Sequence, residues 1–190
     1  MPSSPRVQKE VILQTAFEMI KRDGYASINI KTVAKELGCS TQPISRQFGT
    51  MDGFRRELLG YCVEQLKTFF STEGEFASDI VSGIAKGYIS LAFDCPNLYR
   101  YLYMSAHDGE QMGELVRTLR SEKYHMVVER LMKEHNMPET YVKEYMETMN
   151  YYVHGIASYV AGGYIKESKQ EIMDRVQTVS DILLKNRKAM

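Results

Sequence analysis

The chain is 190 residues long, its 24 Lys/Arg balance 24 Asp/Glu, and 44% of its residues are apolar and 25% charged. Those fractions are ordinary for a soluble globular protein, and the length suits one domain or two small ones. No apolar run approaches the roughly 20 residues of a membrane helix, and the N-terminal MPSSPRVQKE has no signal-peptide core, so a cytoplasmic location without a membrane partner is expected.

In chain order, Ser4 and Pro5 form a cap and first-turn pair that predicts a helix. Its apolar stripe is Ile12 or Leu13, Ala16, Phe17 and Ile20, and Gly24 closes it; Arg6 and Lys9 near its start are candidate phosphate contacts. Asn29 to Phe48, NIKTVAKELGCSTQPISRQF, then reads as two short helices joined by a tight turn, the outline of a DNA-reading helix-turn-helix. Asn29 is the expected N-cap of the first, Val33, Ala34 and Leu37 are its buried face, and Gly38 is its stop. Ser40 is the expected cap of the second. Pro43 falls in that helix's first turn, where the N–H it lacks would have had no partner. Ile44 and Phe48 pin the second helix to the first, leaving Thr41, Gln42, Ser45, Arg46 and Gln47 outward with hydrogen-bonding ends. Gln42, Ser45 and Gln47 are candidate base-edge or phosphate readers, and Lys31 and Arg46 suit phosphates or a guanine.

Charge is distributed in the same sense. Residues 1–60 carry nine Lys/Arg against six Asp/Glu, a net of +3, and the rest carries a net of −3. A basic head on a body with another task is the expected polarity, although so small an excess predicts salt-sensitive, modest non-specific binding.

The run from Ala16 to Leu58, about the first third of the chain, resembles the N-terminal DNA-binding domain of the tetracycline-repressor (TetR) family of bacterial regulators. The likeness rests on the AF dipeptide in the first helix, the GY after it, VAKELG, Ser40, and F-x-x-M-D-x-F leading into a long helix. Members of that family commonly carry a tyrosine where this chain has Ser45 and a lysine where it has Met51, both of which usually hold DNA phosphates. The resemblance implies an all-α fold of about nine helices, with a helix-turn-helix domain over residues 1–50 and a helical regulatory and dimerisation domain over 51–190. It also implies a homodimer on a palindromic double-stranded operator, repressing transcription until a small-molecule effector binds the body. The DNA-binding set is then Lys31, Thr41, Gln42, Pro43, Ser45, Arg46 and Gln47.

Beyond Phe48, Thr50 or Asp52 caps a long helix predicted from Asp52 to Phe70, which in the resembled family links head to body and tilts when ligand binds. Ser78 and Asp79 cap a helix burying Ile80, Ile84, Tyr88 and Leu91; Cys95-Pro96 breaks it, and PNLYRYLYM forms a short helix. Residues 105–111 are a loop, and a helix over 112–135 is stopped by Asn136 and Pro138. The next helix, Glu139 to Ile165, is apolar on two sides and carries Gly155, Ser158, Ala161 and Gly162 at small-residue spacing. The last runs from Glu167 to Lys188 with Ile172, Val176, Val179 and Leu183 in register. Such a pair suggests a self-complementary face, so Gly155, Ser158, Ile172, Val176, Val179 and Leu183 are the expected dimer interface.

Tyrosines and methionines crowd the body, a mixture suited either to a core or to a cavity for a largely apolar molecule. Tyr99, Tyr103, Tyr124, His125, Tyr145, Tyr152 and His154 are the candidate pocket residues, with His107 a further polar candidate. Three widely spaced cysteines, Cys39, Cys62 and Cys95, predict reduced thiols, and with neither CxxC nor HxxxH no metal or other cofactor is expected. GxSxG and phosphate-cradling glycine loops are absent too, so the chain reads as a non-enzyme. The alternative to a repressor is a partner-binding regulator whose head no longer reads DNA, motivated by Ser45 and Met51.

Overall fold

A computed structural model describes residues 7–66, 80–105 and 125–185. All regular structure among them is helical: α1 (Lys9–Asp23), a 3-10 turn (Tyr25–Ser27), α2 (Ile30–Glu36), α3 (Gln42–Phe48), α4 (Met51–Leu66), α5 (Ile80–Asp94), α6 (Pro96–Met104), α7 (residues 125–135), α8 (Glu139–Ala161) and α9 (Lys169–Lys185). The expected all-α class holds. No described helix is long and apolar enough to cross a membrane.

The chain divides into two compact units. The first comprises residues 1–66 and 97–105, the second 67–96 and 106–190. In the first, α1 buries Ile12, Leu13, Ala16, Phe17, Met19 and Ile20, the expected stripe with Met19 added, against α2, α3 and α4. Beyond the boundary expected at residue 50, α4 buries Phe54, Leu58, Leu59 and Cys62, and Phe48 meets Phe54 edge-to-face at 5.0 Å. The α6 helix also belongs to this unit. Asn97 donates its amide to the Lys21 and Arg22 carbonyls at the end of α1, at 3.0 and 3.2 Å.

In the second unit α5 packs on α8 and α9, and the core joins Ala85, Ile89, Val127, Leu131, Tyr145, Met149, Val153, Ile172 and Val176. Tyr145 and Ser180 share a buried hydroxyl–hydroxyl bond of 2.7 Å, and Lys169 pairs with Asp94 at 2.8 Å. Of the expected buried face of α5, Leu91 is buried and Tyr88 half-buried; the side chains of Ile80 and Ile84 lie outside the described set.

Several helix ends differ from expectation. Residues 7 and 8 are not helical, and Gln8 in extended conformation precedes α1, so the helix opens after the Ser4–Pro5 pair. The α8 helix stops at Ala161, not Ile165, because Gly163 turns left-handed (φ 76°) and the Tyr164 and Gly163 N–H groups close back on the Tyr159 and Val160 carbonyls. Ser168 and Glu171 form a reciprocal capping box, so α9 begins at Lys169, not Glu167. Asn136, left-handed at φ 49°, ends α7 where expected. The predicted extension of α4 to Phe70, the Ser78–Asp79 cap, most of the 105–111 loop with His107, residues 112–124 and the end of α9 beyond Lys185 lie outside the described residues.

Candidate nucleic-acid interface

The reading pair is built locally. The Asn29 side chain accepts from the Lys31 and Thr32 N–H groups at 2.9 and 3.0 Å, and the Thr32 hydroxyl oxygen accepts from the Asn29 N–H at 3.0 Å. That reciprocal box satisfies donors that the start of a helix leaves open. Gly38 is left-handed (φ 63°), which lets the Cys39 N–H reach the Ala34 carbonyl and the Gly38 N–H the Lys35 carbonyl. Val33, Ala34 and Ile44 are at most 3% exposed, so the two short helices meet over a dry contact.

Ser40 is not the cap of α3. Thr41 occupies that position in a helical conformation, and its side chain makes no capping bond. Pro43 at the second helical position fits the first turn as expected. After α3, Thr50 caps α4 through the Gly53 N–H at 3.0 Å.

On α3, Gln42, Ser45 and Arg46 are exposed and fall on one face at three- and four-residue spacing, while Ile44 and Phe48 are buried on the other. Thr41 is exposed beside that stripe, and Pro43 is half-buried. The polar ends of Gln42, Ser45 and Arg46 make no bond among the described residues. Gln47 differs: half-buried, it donates its amide to the Val7 carbonyl at 2.6 Å. The predicted outward reader is therefore engaged with the chain entering α1.

The cations separate in the same way. Arg22 is held by Asp23 and Glu36, each at 2.8 Å, and its guanidinium keeps both carboxyls below the usual range. Arg55 pairs with Asp52, and Lys9 with Glu57; Arg6 is outside the described residues. Lys31, Lys35, Arg46 and Arg56 are exposed and form no ion pair among the described residues. Lys35 follows Lys31 by four residues and so shares its face of α2. Ser45 is exposed and Met51, half-buried, begins α4, so neither supplies charge.

Full-length structural comparison gives the fold. A protein from Rhodococcus sp. assigned to the TetR family of transcriptional regulators superposes with a TM-score of 0.69 at 16% identity, covering 95% of this chain and 100% of its own. A TetR-like transcriptional regulator from Rhodococcus sp. RHA1 gives 0.64 at 14%, with 98% and 99% covered. BioQ, solved with its natural double-stranded DNA operator, gives 0.56 at 14%, with 97% and 99% covered. The chain has the TetR fold. No protein-family model matches the sequence, and no curated protein matches it. In this chain the helix-turn-helix is the α2–α3 pair.

The candidate pocket residues fall in both units. Tyr99 (buried) and Tyr103 (half-buried), their rings 5.0 Å apart, belong to the first unit. In the second unit Tyr145 is buried and bonded to Ser180, Tyr152 and His154 are half-buried on α8, His125 is exposed, and Tyr124 is outside the described residues. An open cleft of about 430 Å³ lies elsewhere, lined by His135, Asp181, Leu184 and Lys185. The interface set also divides. Ile172 and Val176 are each 1% exposed and packed in the core of the second unit; Gly155, Ser158, Val179 and Leu183 are half-buried. Cys39, Cys62 and Cys95 form no disulfide, and no cluster of three metal-ligating side chains occurs among the described residues.

Proposed function

We propose that the chain is a TetR-family transcriptional repressor that acts as a homodimer on a palindromic double-stranded DNA operator and is released by a small molecule bound in its second unit. The observation that carries the reading is the exposed polar stripe of Gln42, Ser45 and Arg46 on α3, which bonds to nothing among the described residues. Glutamine pairs with adenine and arginine with guanine through two hydrogen bonds in the major groove, and Ser45 suits either a base edge or a phosphate. Lys31, Lys35 and Arg56 suit phosphates. The operator seen in the BioQ structure supports DNA as the partner of this fold.

A two-fold dimer follows the symmetry of a palindromic site. Tyr151, Gly155 and Tyr159 form an i, i+4, i+8 stripe on α8, both tyrosines are exposed, and a Cβ placed on Gly155 meets nothing within 4 Å. With Ser158, exposed Ile182 and the half-buried Val179 and Leu183, that surface is the proposed partner face. Tyr152, half-buried on α8 and packed against the core of the second unit, is the proposed effector contact.

The test is selection from a random-sequence duplex pool with the full chain, followed by sedimentation. Enrichment of one palindrome bound by a dimer supports the reading; a pool that emerges unenriched at low salt sinks it and leaves the partner-binding alternative.

A further inference from the structure

Two contacts join the residues at the start of α1 to the end of the reading helix, and a third joins them to α4. The Gln47 amide reaches the Val7 carbonyl at 2.6 Å, the Lys9 ammonium lies over the Phe48 ring at 5.6 Å from its centroid, and Lys9 also pairs with Glu57 on α4. Gln47 and Phe48 are consecutive on α3, and so are pulled toward one place, the non-helical entry to α1. Gln47 follows Arg46 by one residue, about 100° around a helix of 3.6 residues per turn, and its amide points away from the Gln42, Ser45 and Arg46 face. Buried Ile44 and Phe48 hold one side of the seven-residue α3, and the Gln47–Val7 bond holds the side next to it.

We infer that Gln47 is a positioning residue that clasps α3 to the entry of α1 and sets the angle at which Gln42, Ser45 and Arg46 meet the DNA, and that it does not itself read a base. This rests on the DNA-reading function proposed above. A reader that loses its own contact loses preference at one base pair of the half-site. A clasp that loses its hydrogen bond lets the whole face turn, and preference falls at every base pair the face reads.

The experiment compares full-length wild type with Gln47→Met, Gln47→Glu and Gln47→Lys on the duplex selected from the random pool and on all its single-base-pair substitutions, with melting temperature recorded for each. Met and Glu are of similar length and cannot donate; Lys can. Gln47→Met and Gln47→Glu should lose about three- to tenfold in affinity for the selected duplex, the value of one hydrogen bond. Their base preferences should flatten across the half-site, and Gln47→Lys should restore the ratio of specific to random-sequence binding. Loss of preference confined to one base pair, or unchanged binding in a folded Gln47→Met or Gln47→Glu, overturns the inference. Side-chain amide NMR of the DNA-free protein separates this failure from failure of the DNA reading. Gln47 amide protons that exchange more slowly than those of exposed Gln42 support the clasp; equal exchange overturns it, even where the wild type selects a palindrome.

Discussion

The Tyr101 ring on α6 stacks on the Tyr25 ring after α1, with centroids 4.3 Å apart and planes 27° from parallel. Together with the Asn97 bonds to the Lys21 and Arg22 carbonyls, this stack holds α6 to the turn that leads into the reading pair. Burial of Tyr101 pushes its hydroxyl pKa well above the ordinary value. Tyr101→Leu keeps apolar volume but loses the stack, and should destabilise the first unit by about 1–2 kcal/mol. Urea denaturation followed by fluorescence measures this directly; an unchanged midpoint would show that the stack contributes nothing.

Gly53 is required for a steric reason. A Cβ on it would sit 2.3 Å from the Phe48 carbonyl oxygen, an atom fixed by the end of α3. Gly53→Ala must push α4 away from α3, at about 1–3 kcal/mol, and should lower the melting temperature more than Gly60→Ala, where an added Cβ meets nothing within 4 Å. Equal melting temperatures for the two variants would refute the close approach.

The three thiols should react in two classes. Cys62 is buried in α4, and burial holds its pKa far above the ordinary thiol value, whereas Cys39 and Cys95 are half-buried. A thiol-specific reagent at neutral pH should label Cys39 and Cys95 in the native protein and Cys62 only after unfolding. Rapid native labelling of Cys62, read by peptide mass, would contradict its burial.

His154 makes stability depend on mild acid. Burial lowers its pKa from the ordinary 6.5, so between the folded and unfolded values the unfolded chain holds a proton that the folded chain does not. The contribution is present above about pH 6.5 and is lost as pH falls through the folded value. The urea midpoint of wild type should therefore fall more between pH 7.5 and 5.5, on the order of a window around the unperturbed value, than that of His154→Gln. Parallel declines would remove His154 from the account.

The parts of the head that were legible in the sequence are those that local chemistry decides. Asn29 caps, Gly38 stops, and Ile44 with Phe48 pins, because each acts within one or two helical turns. Two signals were present but unread: Gly162-Gly163 ends α8, and Ser168 with Glu171 opens α9. Ser40 and Thr41 are both capping types side by side, and composition alone does not choose between them. The engagement of Gln47 depends on a carbonyl 40 residues away and leaves no trace in local spacing. Ile172 and Val176 show the same limit, since helical periodicity reveals which face is buried but not whether the protomer or a partner buries it.

The most direct measurement is a titration of the selected palindromic duplex, at one fixed salt concentration, with wild type and with the Gln42→Ala/Arg46→Ala double variant, followed by fluorescence anisotropy. The double variant should stay folded and dimeric and lose more than about tenfold in affinity for that duplex, each paired base contact contributing about 1–3 kcal/mol of discrimination, while its weaker binding to random-sequence duplex changes little. Equal affinity of the two proteins for the palindrome would contradict the proposed DNA reading.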